Sequence, residues 1–161
     1  MNSNPMSSMD LTVEGEVLVI TRHLHAPVQR VYDAWTKADQ LARWFAPNRR
    51  WKSITAETDV RPGGKYRIDM YHQDGDVYTL IGKYIEVLPC RRLQFSFNWL
   101  QGMSGQYESI VTLDFAGYAD ETELRIKHVN LTAVELAETR KGWAGCLDML
   151  ETLMVTNESP F

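Results

Sequence analysis

Residues 121–154 read ETELRIKHVN-LTAVELAETR-KGWAGCLDML-ETLM, and within them a strand pattern gives way to a long helix pattern with no linker between. Leu124, Ile126 and His128 alternate with Arg125 and Lys127, the period of two that buries one face of a strand. Thr132 and Glu135 then stand at T-x-x-E spacing, the capping box in which each side chain takes the other residue's backbone N–H. From this start the helix is expected to run to about Met154. Leu136, Trp143, Cys146, Leu147, Leu150, Leu153 and Met154 share one broad face, and Glu138, Lys141, Asp148 and Glu151 fall outside it. A long helix with so wide an apolar face needs a sheet to cover it.

The residues upstream supply that sheet. Arg61-Pro62-Gly63-Gly64 has the composition of a type II turn, and Asp74-Gly75 is a hairpin signal. Pro89, then Gly102 with Gly105, and then Gly117 to Asp120 mark further reversals. Strands are expected over Ser53–Val60, Lys65–His72, Val77–Leu88, Arg92–Trp99, Gln106–Ala116 and Glu121–Asn130. Connections this short make neighbouring strands antiparallel, because a parallel pair needs a long crossover. Ahead of them, Glu16–Leu24 is rich in β-branched residues and reads as a first strand. Pro27 suits the first turn of a helix carrying Val28, Val31, Tyr32 and Trp35 on one stripe. A second short helix is expected from Ala38 to Phe45. The fold class is α+β: a seven-stranded curved antiparallel sheet around a long C-terminal helix, with two short helices between strands 1 and 2.

The chain has 161 residues, enough for one domain and its core. Residues 1–10 are expected to be a disordered N-terminus and residues 11–161 a single domain. Seventeen Lys and Arg against 21 Asp and Glu give a net charge of −4, which argues against a nucleic-acid partner and a polybasic membrane surface. The longest aliphatic run, Val17 to Ile20, is far too short to span a bilayer. Two cysteines, Cys90 and Cys146, make neither a disulfide framework nor a zinc set, so a cytoplasmic location is expected. His23-x-His25 lacks a third ligand at readable spacing and is expected to be a surface pair. No cofactor or metal is called for. Leu100 and Met103, in the Trp99–Gln106 hairpin, are apolar residues that point to self-association as a homodimer.

Alternation sends Tyr66, Ile68 and Met70 inward, together with Leu93, Phe95, Phe97 and Trp99. The strand Val77–Leu88 fits both parities, and Tyr84 is taken as inward. The interior is therefore heavily aromatic, a composition that suits a filled core and a small-molecule pocket equally. As a pocket, its lining would be Trp44, Phe45, Tyr66, Met70, Tyr84, Phe97, His128 and Trp143. Tyr66, Tyr84 and His128 would orient a ligand's polar group. His128 is the only inward titratable residue apart from the tyrosines, while Glu57, Asp59, Asp69, Glu86 and Asp114 point out. Acid–base catalysis normally needs several such groups converging. Binding without turnover is therefore preferred to an enzyme using His128 as general base and a tyrosine as acid. Gly142 interrupts the long helix, either for close packing against the sheet or to leave space for a ligand beside Trp143.

One series of motifs points to a family. Val19-Ile20-Thr21-Arg22 leads to Ala26-Pro27, Val31-Tyr32-Asp33-Ala34-Trp35 and Leu41-Ala42-Arg43-Trp44-Phe45. Arg61-Pro62-Gly63-Gly64, Gly82-Lys83-Tyr84, Glu86-Val87-Leu88-Pro89 and Gly142-Trp143 follow in order. The series resembles the START-like (SRPBCC) superfamily with the helix-grip fold, and within it the AHSA family of Hsp90 ATPase activator homologues. The resemblance implies an internal cavity between sheet and long helix that takes a lipophilic or aromatic small molecule. It also implies cyclase, dehydratase or hydrolase relatives, and a chaperone partner for the proteins that gave the family its name. His25, Ala46 and Cys90 depart from the family pattern at turns beside the expected cavity mouth.

Overall fold

A computed structural model describes residues 15–100 and 108–161, apart from the side chains of Lys52 and Ser53. The expected disordered N-terminus and most of the Trp99–Gln106 hairpin, Met103 included, lie outside the described residues. In chain order the elements are β1 (Glu16–Leu24), α1 (Val28–Thr36), α2 (Ala38–Leu41), β2 (Trp51–Thr58) and β3 (Lys65–His72). Then come β4 (Val77–Leu88), β5 (Arg92–Trp99), β6 (Ser109–Tyr118), β7 (Glu121–Leu131) and α3 (Ala133–Thr156). The seven strands form one antiparallel sheet in the order β1-β7-β6-β5-β4-β3-β2. This is the expected helix-grip α+β architecture.

Local chemistry explains the punctuation. The 61–64 turn closes with the Gly64 N–H on the Arg61 carbonyl, and Gly63 takes a φ of +85°, the position where a type II turn wants glycine. At the start of α3, Thr132 Oγ1 accepts from the Glu135 N–H and the Glu135 carboxylate accepts from the Thr132 N–H, completing the capping box. The helix ends on Asn157 in the left-handed region. There the Arg30 guanidinium of α1 donates to the Leu153 and Met154 carbonyls, a favourable place for a cation. Arg43 adds a bond to the Asn157 carbonyl, so the helix end fastens the α1–α2 segment in place.

One expectation about local structure is corrected and one open reading is resolved, with Tyr84 inward. The second short helix stops at Leu41, four residues before Phe45. Trp44, Phe45 and Ala46 are all buried, and Pro47 disfavours helical backbone at the residue before it, so the chain leaves the helix and continues in turns. In β4 both parities hold in succession. Leu80 and Tyr84 face the core, a bulge falls between Tyr84 and Glu86, and Val87 then pairs with the buried Leu93. The extra residue, Ile85, flips every later side chain to the other face.

Gly142 also resolves. A Cβ there would meet nothing, whereas one at Gly145 would collide with the Pro47 carbonyl. Gly145 is therefore the glycine that lets the segment after α2 lie against α3. Gly142→Ala should raise stability by about 0.5–1 kcal/mol, and Gly145→Ala should lower it by about 1–3 kcal/mol. Urea denaturation of the two variants checks this pair of opposite signs.

Candidate functional site

The interior carries a chain of rings from the short helices to the far strands. Trp35 packs against Trp44 at 4.8 Å and Trp143 at 5.9 Å between ring centroids. Trp143 continues to Phe97 at 5.5 Å, and Phe97 to His128 at 4.8 Å. His128 is fully buried, and its tautomer follows from its neighbours. The Trp143 Nε1–H can only donate, and it sits 3.0 Å from His128 Nδ1, so Nδ1 is the acceptor and the proton is on Nε2. Nε2–H then donates to Ser109 Oγ at 3.1 Å, and Ser109 donates to the Phe97 carbonyl at 2.6 Å. Burial holds the imidazole neutral, pulling its pKa down to about 4 against a small opposing pull from Glu135.

A small, partly open space lies against Trp35. Trp35 of α1, Leu41 of α2 and the following Phe45 form one wall. Tyr66 and Ile68 of β3, Leu80 and Tyr84 of β4, and Leu93 and Phe95 of β5 form the other. The space measures about 20 Å³, room for one water-sized body and well short of the few hundred Å³ that enclose a drug-sized ligand. Its walls carry no charged side chain. Burial raises the pKa of both Tyr66 and Tyr84, so their hydroxyls stay protonated. The Trp35 Nε1–H is wholly buried and meets no acceptor among the described residues.

Tyr66 also reaches through the sheet. Its hydroxyl donates to the Ser96 carbonyl at 2.7 Å, while the Lys83 N–H turns to Ser96 Oγ at 2.9 Å. A Cβ on Gly82 would run into the Ser96 carbonyl and the Tyr66 ring, so glycine at 82 is what admits the tyrosine between β4 and β5. Beside these strands lies a groove of about 800 Å³ edged by Glu57, Lys65, Arg67 and Lys83. Tyr66 borders both spaces.

Of the eight expected lining residues, Phe45, Tyr66 and Tyr84 border this space. Trp44 is fully buried behind it, donating to the Ala34 carbonyl, and Met70 is a core residue of β3. Phe97, His128 and Trp143 form the separate cluster described above. Trp35, Leu41, Ile68, Leu80, Leu93 and Phe95 complete the lining and are not among the expected residues. Trp35 had been readable as buried from the α1 stripe, but its missing acceptor depends on tertiary neighbours.

The remaining titratable candidates lie elsewhere. His23 is exposed, 3.5 Å from Glu123 and 3.9 Å from Glu121. Among the described residues no group of three His, Cys, Asp or Glu is placed to hold a metal ion. Burial pushes the Cys146 thiol up to about 12, and Cys90 is also raised, by burial and by Asp33. Neither is a ready nucleophile at neutral pH. Among the described residues no helix is long and apolar enough to cross a membrane.

Sequence comparison agrees with this architecture. The family described as activator of Hsp90 ATPase homolog 1-like protein, AHSA1, matches residues 25–155. The chain belongs to the AHSA1 family. Solved structures share the AHSA1 fold seen here. Protein CV1439 from Chromobacterium violaceum is 24% identical with a TM-score of 0.74, covering 86% of this chain and 96% of that one. A protein from Rhizobium leguminosarum is 26% identical with a TM-score of 0.71, covering 90% and 97%. CalU16 from Micromonospora echinospora is 28% identical with a TM-score of 0.64, covering 86% and 75%. No curated protein matches this AHSA1 chain.

Proposed function

We propose that this AHSA1 protein binds a small aromatic or lipophilic molecule in its interior, between the α1–α2 segment and strands β3 to β5, without turning it over. The observation that carries the reading is the lining of this interior space, whose walls are entirely uncharged and largely aromatic. Such a surface offers apolar area and ring contacts to a ligand. Entry requires the space to widen, and the less regular wall is the α2 side. That helix is one turn long, and Phe45 sits in the irregular chain after it.

Catalysis by His128 fits the geometry poorly. The lone pair on Nδ1 is already taken by the Trp143 N–H, and Nε2 carries the proton. A general base with a pKa of about 4 would also be weak at neutral pH. The imidazole is a satisfied core group that fixes β6, β7 and α3 to one another.

Phe45→Leu tests the reading. The exchange should cost under about 1.5 kcal/mol in stability while removing part of the barrier to widening. In calorimetric titrations with naphthalene-type probes, the variant is expected to bind more tightly than the wild-type chain. Equal binding by both proteins would move the site elsewhere. Stimulation of a purified Hsp90 ATPase, unchanged by Phe45→Leu, would instead favour a role exercised through the surface.

A further inference from the structure

The buried tryptophans near the cavity differ in one respect. Trp44 donates to the Ala34 carbonyl and Trp143 to His128, but the Trp35 N–H meets no acceptor among the described residues. Trp51 shares that condition but is not part of the cavity wall. Buried polar groups are nearly always paired, and an indole nitrogen can only donate. The rings packed on Trp35 are Trp44, Phe45 and Trp143, none of which has an oxygen to offer. Of the two hydroxyls on this wall, that of Tyr66 has its proton held by Ser96. That of Tyr84 is a second group that could meet a ligand's oxygen, so a Trp35→Phe variant is what separates the two donors.

We propose that the Trp35 N–H is the specificity-determining donor of this cavity, and that the ligand is an uncharged aromatic molecule bearing a carbonyl or ether oxygen. The inference rests on the interior-binding reading above and adds the chemistry of what is bound. A carboxylate would enter walls with no cation to balance it, and an ammonium would meet no anion; either burial is costly. A plain hydrocarbon would leave the donor unpaired. A neutral oxygen acceptor on a planar ring answers the donor, the rings and the missing charge together.

Three probes of one skeleton separate these cases: 2-acetylnaphthalene, 2-ethylnaphthalene and 2-naphthoate. The wild-type chain is expected to bind the ketone roughly tenfold more tightly than the hydrocarbon, the scale of one buried hydrogen bond, and the carboxylate most weakly. In Trp35→Phe the ketone should lose that advantage while the hydrocarbon binds as before. Should that variant fail to fold, wild-type protein labelled with 15N-tryptophan gives the same answer. One of its five indole N–H resonances should move downfield with the ketone and not with the hydrocarbon. If the ketone and hydrocarbon bind alike and no indole resonance distinguishes them, the cavity binds ligands but Trp35 does not select them, and the inference is overturned alone. If no probe binds, the interior-binding reading falls and takes the inference with it.

Discussion

Replacing Trp143 with alanine is expected to lower the free energy of unfolding by about 4–8 kcal/mol, a large share of the total for a domain this size. Two effects combine. Truncating a buried tryptophan costs about 3–5 kcal/mol in lost packing and residual cavity, and Trp143 touches Trp35, Phe45, Phe97 and His128. The deletion also strips His128 Nδ1 of its donor, leaving a buried acceptor unpaired at a cost of about 1–3 kcal/mol. Trp143→Phe keeps most of the ring and removes the N–H, so it should show little more than the second effect. Urea denaturation of both variants separates the contributions. A loss below about 2 kcal/mol for the alanine variant would mean that α3 is held mainly by other contacts.

The second large effect is acid destabilisation through His128. Its folded-state pKa, about 4, lies below the ordinary value of 6.5. The unfolded chain therefore binds the proton more readily between those values. The contribution is fully present above pH 6.5 and is lost progressively as pH falls toward 4. A difference of about 2.5 units corresponds to about 3 kcal/mol. Protonation of Nδ1 would set two donors, the ring and the Trp143 N–H, against each other at 3.0 Å. Denaturation midpoints measured from pH 7.5 to 4 should decline more steeply in the wild-type chain than in His128→Gln. Parallel curves would place the acid sensitivity in other groups.

Much of the fold was legible because its signals are local. The capping box at Thr132 and Glu135, the glycine turn at 61–64 and the alternation of Tyr66, Ile68 and Met70 each depend on a few adjacent residues. The bulge at Ile85 is different. An inserted residue changes strand parity without altering composition, so β4 fitted two patterns until its partners on β5 were known. Gly145 was passed over for Gly142 for a similar reason, since only the fold brings Pro47 against that turn of α3. The site was legible in part. Tyr66 followed from alternation, whereas Tyr84 sat in a strand that fitted both parities and Phe45 was expected in a helix that stops at Leu41. The split between their group and the Phe97–His128–Trp143 cluster depends on how the sheet curls.

The most direct test of interior binding is a thermal-shift titration of the intact chain against uncharged aromatic ketones, with native mass spectrometry to count bound molecules. At a hundred times its Kd a ligand should stabilise the fold by about 2.7 kcal/mol. For a domain of this size that is a rise of roughly 5–10 °C in Tm. Interior binding predicts such a rise with one molecule bound per chain. An unmoved Tm across the panel, with no adduct in the spectra, would contradict it and leave the aromatic interior as a filled core.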